Sequence, residues 1–480
     1  MPGNDSSPVL QRAAPWRLLA RAVATAVALA AAPLAVAGDA PPGDHLQQPQ
    51  DPPAASTTAA QEPQQAKEPA PSSPATKLRG SLATRYWLRW TSNDTDQDVF
   101  STLSADYGDE QKDAVTGRFV GRLALDIDGY DETFGSINDS YGSRQDALLY
   151  DLYADFHRVD GFEKVRVGRQ SIWETPEFVY FDGAHAVSEE IGTTKLQFGA
   201  YGGASTHLYE ASNDGDWTAG VYSQARPWKG GRLRLDYLYL EDEARLGHEN
   251  DLLAAGWWQT LAENLLADVQ YSRLEDEDRD VRVRGSWRHA PSDFFVQASW
   301  YKLLTTQGDL VLELDPYYGS LLELKPYHQT SLSAAKGIGD HLRLTAGTDL
   351  RRVSDDADVG TNNRDYDRYY FTVAVIDLPV EGLTAGVTAD LWDSDGRTVD
   401  TWGADLTYQV SADTSASVGS YYSAWKYDIV SEEERDDVRT WFVRGRHKLS
   451  RRTTLDLGYE LEDNDIDDFH FLRMGATWRF

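Results

Sequence analysis

The chain has 480 residues, a net charge of −31 and no cysteine. The acidic balance argues against nucleic acid as a partner. The missing thiols exclude disulfides, Cys-ligated zinc, iron–sulfur clusters and covalent haem attachment, and after the N-terminal region there is no run of about 18 apolar residues from which to build a transmembrane helix.

Residues 1–37 read as a secretory leader. Arg12, Arg17 and Arg21 form its basic region, the apolar stretch from Ala22 to Ala32 follows, and Ala35-Val36-Ala37 is a small-residue cleavage site. A short membrane anchor is the alternative. Residues 38–76 are rich in Pro, Gln, Ala, Ser and Thr, with almost no large apolar side chains. Such a stretch buries too little surface to fold, so a disordered periplasmic tether is expected. From Lys77 proline becomes scarce and aromatic residues recur, which sets the expected domain at 77–480.

Within 77–480 the dominant pattern is alternation. Leu148, Tyr150, Leu152, Ala154 and Phe156 oppose Asp151, Tyr153 and Asp155. Leu233, Leu235, Tyr237 and Tyr239 oppose Arg232, Arg234 and Asp236, and Val281, Val283 and Trp287 oppose Arg282, Arg284, Ser286 and Arg288. Leu455, Leu457, Tyr459 and Leu461 oppose Thr454, Asp456, Gly458 and Glu460. Side chains of a strand point alternately to its two faces, so each segment has one apolar and one polar face.

A further rhythm overlies the first. Short connections such as Val159-Asp160-Gly161, Ala262-Glu263 and Ser411-Ala412-Asp413 alternate with longer acidic ones, at Glu241 to Asp251, Glu275 to Asp280, Ser354 to Asp365, Ser431 to Asp437 and Glu462 to Asp468. Short periplasmic turns alternating with longer outer loops are the arrangement of an outer-membrane barrel. The predicted fold is all-β, a transmembrane antiparallel up-and-down barrel of about 22 strands, with 18 to 20 as alternatives. Keeping both ends of the chain on the periplasmic side requires a strand over Val99 to Gly108. The chain ends with Met474, Ala476, Trp478 and Phe480 on one face. That ending resembles the C-terminal signal read by outer-membrane assembly machinery. Expected surroundings are therefore that machinery, outer-membrane lipid and lipopolysaccharide, with a soluble sandwich or propeller as the competing fold.

No catalytic constellation, metal-ligand spacing or cofactor motif emerges. The polar face carries basic side chains close to the short turns: Arg166, Arg232, Arg234, Arg284, Arg288, Arg343, Arg444, Arg446 and Lys448. Two readings stand. A basic ring in a low-dielectric wall concentrates anions; alternatively the lumen positions are simply wet, with Asp and Glu as partners. Asp309 to Tyr327 is long and apolar for a solvated loop. It either folds into the mouth as a constriction through Tyr317, Tyr318 and Tyr327, or extends the strands above the membrane.

Gly168-Arg169-Gln170 closes one predicted strand and Phe181-Asp182-Gly183 follows shortly after. This arrangement resembles the alginate-export type of porin-like outer-membrane barrel. The resemblance covers about sixteen residues and implies a monomeric barrel whose basic lumen passes an anionic polysaccharide. A periplasmic export partner would then be expected. The chain also resembles the Cys-free barrel that sheaths a multihaem cytochrome in electron transfer. Both readings imply a conduit or sheath without covalent chemistry.

Overall fold

A computed structural model describes residues 77–480 apart from 130–133, 135–142, 175–176, 207–215, 243–247, 307–323, 360–362, 395–396 and 429–432. The expected leader and tether lie outside the described residues, as do Tyr317 and Tyr318.

Alternation gives strands throughout. They are β1 (Leu78–Trp90), β2 (Thr95–Tyr107), β3 (Val115–Asp126), β4 (Gln145–Phe156), β5 (Phe162–Ile172), β6 (Val179–Ser188), β7 (Gln197–Ser205) and β8 (Trp217–Ala225). Next come β9 (Gly231–Asp242), β10 (His248–Ala262), β11 (Leu265–Leu274), β12 (Glu277–His289), β13 (Phe294–Leu303), β14 (Tyr327–Ile338) and β15 (Leu342–Val353). The last seven are β16 (Tyr366–Ile376), β17 (Leu383–Ser394), β18 (Arg397–Ser411), β19 (Thr414–Asp428), β20 (Glu433–Lys448), β21 (Thr453–Asp463) and β22 (Asp468–Arg479).

Each strand pairs antiparallel with its chain neighbours, and β1 pairs with β22 from Ser81↔Arg479 to Trp90↔His470, closing a 22-stranded barrel. Closure leaves no sheet edge, which is what a lipid environment demands of backbone amides. At the seam Gly80 and Phe480 exchange backbone hydrogen bonds of 3.1 and 3.0 Å. The Phe480 ring lies where a side chain at position 80 would sit. The strand required over Val99 to Gly108 is β2, which starts four residues earlier and ends at Tyr107.

The outer surface is apolar. Leu152, Val167, Val221, Leu235, Val387, Leu406, Val443 and Leu457 are all exposed. Trp287, Tyr408 and Trp478 stand near the periplasmic strand ends, and Trp217 and Trp402 toward the outer ends. An apolar band flanked by aromatic residues is the surface that a bilayer selects. This is an outer-membrane β-barrel. On the inner face, aromatic rings lie over glycines of the neighbouring strand: Tyr222 over Gly199, Tyr201 over Gly220, Tyr370 over Gly347 and Phe442 over Gly419. The ring covers a site with no side chain of its own.

Three expectations need correction. The acidic segment Glu275 to Asp280 is mostly strand, because β12 begins at Glu277. Likewise β9 runs to Asp242 and β21 to Asp463, so acidic residues expected in loops extend the wall. Finally, Leu148 does not share a face with Leu152. The register of β3 against β4 shifts at Val120/Gly121, which pair with Asp151 and Leu149 and leave Tyr150 as the extra residue. A bulge reverses the alternation beyond it, so Leu148 pairs with the inward Arg122. The consecutive Leu148-Leu149 is the trace of that reversal in the sequence.

Candidate functional site: a constriction from the β5–β6 connection

The bulge in β4 has a consequence next door. The β4–β5 ladder runs from Phe156↔Val165 only as far as Leu152↔Arg169, although both strands continue beyond that point. Backbone carbonyls of β4 are thereby released from the sheet, and an unpaired carbonyl in a membrane wall is costly. They are recaptured by side chains. Arg169 donates from Nη1 to the Leu149 carbonyl at 3.2 Å. The Tyr180 hydroxyl reaches the carbonyls of Leu149, at 3.0 Å, and Tyr150.

The Gly-Arg-Gln and Phe-Asp-Gly segments are cross-strand neighbours at this parting. Gly168 pairs with Gly183, Arg169 with Asp182 and Gln170 with Phe181. Arg169 grips Asp182 through Nε at 2.7 Å and Nη2 at 2.6 Å, the two-point geometry that favours Arg over Lys. The fully buried Gln170 donates from Nε2 to the carbonyls of both glycines, each at 3.2 Å. Gly168 has φ +128°, and any side chain there would overlap the Leu152 carbonyl. Only glycine fits such a backbone at such an approach. The motif thus fixes the base of the β5–β6 hairpin where it parts from β4.

Above this base Glu174 and Glu177, which follow β5 and precede β6, reach the inner wall. Glu174 accepts from Arg232 Nη1 at 3.2 Å through one carboxylate oxygen and from Arg234 Nη1 at 3.0 Å through the other. Both arginines are on β9, three strands beyond β6. Glu177 accepts from Arg279 of β12 at 2.8 Å, three strands further on. Ile172 and Val179, which flank the connection, are buried in one cluster with Phe181, Tyr201, Tyr222, Leu238 and Leu252 of β6 to β10. Glu174 and Glu177 thus lie against the inner wall at β9 and β12, away from their own strands.

Arg234 is 3% exposed. Its Nε and Nη2 donate to Asp236 at 2.7 to 2.9 Å, and its guanidinium lies 3.9 Å from the Tyr222 ring centroid. Arg232 stacks on Trp258 at 4.0 Å. Each cation thus has a carboxylate at its edge and an aromatic face beneath it, an arrangement that strengthens when water is excluded.

The other basic residues expected in the lumen also lie on the inner face, and most are paired. Arg166 binds Asp155 at 2.7 Å and stacks 3.6 Å from the Tyr153 ring. Arg284 binds Asp268 at 2.9 Å, and Arg444 binds Glu460 at 2.7 Å. Arg343 and Arg446 are held loosely, by Asp293 at 3.8 Å and Asp456 at 3.6 Å. Arg288 and Lys448 have no ion pair among the described residues. The wall is therefore built of Arg–carboxylate pairs laid on aromatic rings. Tyr327 is the first residue of β14 rather than part of a loop. It packs against Tyr301 with centroids 5.6 Å apart, and Arg351 lies 3.7 Å above its ring.

Glu174 and Glu177 were not among the residues that sequence reasoning singled out. Their partners lie 58 and 102 residues away in sequence, and no periodicity reports such a contact. The available signal was the pair of motifs bracketing them: two glycines, an arginine and an aspartate placed at mirror positions around one short connection.

No family model matches the sequence, and no curated protein sequence matches it. Among solved structures the chain is similar to the P pilus usher (PapC) translocation pore, with TM-score 0.51 and 11% identity over 84% of this chain and 99% of that one. It is also similar to the copper transporter OprC, with TM-score 0.50 and 12% identity over 84% of this chain and 80% of that one. At such identities the likeness concerns architecture, and it agrees with the strand order and the apolar exterior in placing this chain among the large outer-membrane barrels.

Proposed function

We propose that the barrel is a passive outer-membrane channel for polar solutes, narrowed on one side by the β5–β6 connection. The observation that carries this reading is the contrast between the two faces of the wall. The outer face is apolar, whereas the inner face presents arginines, carboxylates and aromatic rings, a surface suited to water and hydrogen-bonding solutes. Both structural neighbours carry transport in their names, a translocation pore and a copper transporter; the solute of this chain is a separate matter.

Pairing of the arginines moderates the expected selectivity. A guanidinium neutralised by a carboxylate at contact distance attracts a passing anion far less than a bare one. Passage of an anionic polysaccharide, the cargo suggested by the alginate-export resemblance, requires pairs to exchange partners along the path. Arg446 and Asp456, 3.6 Å apart and about half exposed, do so at least cost. Planar-bilayer recordings of the purified protein test the channel reading. Stable conductance with weak charge selectivity is expected. A closed lumen that conducts under no salt condition would reject the reading and favour a sheath filled by a partner.

A further inference from the structure

The contacts of Glu174 describe a binding site as well as a constriction. Its two carboxylate oxygens are divided between two guanidiniums, Arg232 at 3.2 Å and Arg234 at 3.0 Å. The arginines are held in place by groups other than Glu174. Asp236 fixes the remaining edge of Arg234, while the rings of Tyr222 and Trp258 support Arg234 and Arg232 from beneath. Arg232, Arg234, Asp236 and Glu174 together are neutral. Without Glu174 the wall retains one excess positive charge, with donors from two arginines directed at a single point. Glu174 itself is the most loosely built member: its side chain is 59% exposed, against 2% for Arg234 and 6% for Asp236.

We propose that Arg232 and Arg234 form a recognition site for one carboxylate, which the protein's own Glu174 occupies until a carboxylate-bearing solute displaces it. This rests on the channel reading above and adds to it a solute class: solutes that carry a free carboxylate. Chemistry favours a carboxylate over a neutral sugar here. A neutral hydroxyl in place of Glu174 would leave the one excess positive charge uncompensated, whereas a carboxylate balances it. Affinity in the native protein is held down by the tethered competitor, whose effective concentration near the site is on the order of millimolar. Weak binding suits a conduit, since a solute held tightly does not leave.

The test uses the full-length protein in planar bilayers at low salt, with glucuronate as the probe and glucose as its neutral control. In the native channel, glucuronate should produce a saturable change in current that glucose does not. Glu174→Gln should lower the half-saturating glucuronate concentration by about tenfold or more, because the competitor has lost its charge. Glu174→Ala should do the same without the residual amide hydrogen bond, and adding Arg232→Gln to either variant should abolish the effect. A conducting Glu174 variant that treats glucuronate and glucose alike would overturn the carboxylate site and leave the channel reading intact. Absence of conductance in native and variant proteins alike would overturn both.

Discussion

Arg234 and Arg446 occupy similar stations on opposite sides of the barrel. Both face inward a few residues from a periplasmic turn, and both neighbour an aspartate. On the β5–β10 side, Arg234 and Asp236 are buried beneath the hairpin connection, with bonds of 2.7 to 2.9 Å and a ring at their back. On the β20–β21 side, Arg446 and Asp456 stand 3.6 Å apart, with side chains 56% and 52% exposed. The residue types are the same; burial differs, and burial decides the energetics. A wet pair contributes little because water competes for both charges, while a buried pair becomes indispensable once formed.

The largest effect should come from breaking the buried pair. Arg234→Met leaves Asp236 buried without its partner and should cost about 3–5 kcal/mol of folding stability, while Arg446→Gln should cost under about 1 kcal/mol. Urea unfolding of detergent- or liposome-refolded protein would compare them, and equal losses would dissolve the distinction between the two sides.

Turning from the inner to the outer face gives the next contrast. Val387→Arg, on an outward position 56% exposed in the middle of β17, should cost about 2–4 kcal/mol because lipid cannot solvate the charge. Thr388→Arg, one residue on and facing the lumen, should be nearly neutral in the same assay. Similar penalties at the two positions would contradict the assigned faces.

Backbone geometry at the hairpin base supplies a smaller effect. Gly168→Ala adds a methyl group against the Leu152 carbonyl at φ +128° and should cost about 1–3 kcal/mol. Gly339→Ala, at φ +58° with open space around it, should cost about 1 kcal/mol. The two melting temperatures distinguish steric conflict from backbone preference alone.

The smallest effect belongs to the solvent-accessible pairs at the periplasmic β2–β3 turn. Hydrogen bonds from Lys77 and Lys112 hold the carboxyls of Asp113 and Asp109, respectively, below the usual carboxylate range. Groups depressed in the folded state contribute stability above their unfolded values, and that contribution disappears as pH falls through the folded ones. The local benefit should therefore be present at neutral pH and absent in strong acid. Hydrogen exchange in this turn should quicken on acidification, after correction for intrinsic rates, more in the native protein than in Lys77→Ala.

Much of this architecture was legible beforehand. Alternation, an even strand number and a final alternating strand ending in Phe480 lead directly to a closed barrel, and the same alternation places Arg232, Arg234, Arg444 and Arg446 on the inner face. What alternation cannot report is the partner across the ladder. Asp268 opposite Arg284 and Glu460 beside Arg444 depend on register between strands, and a bulge such as that at Tyr150 changes face and register together. The β5–β6 connection was harder still. The contacts of Glu174 and Glu177 reach β9 and β12, and the local sequence shows only two glycine-bearing motifs facing one another.

The most direct test of the constriction is the single-channel conductance of a variant in which residues 174–177 are replaced by two glycines, removing the contacts to Arg232, Arg234 and Arg279 while sparing the hairpin base. If the connection narrows the lumen, the variant should fold with unchanged heat-modifiable migration and conduct several-fold more current than the native barrel. A folded variant with native conductance would contradict the constriction.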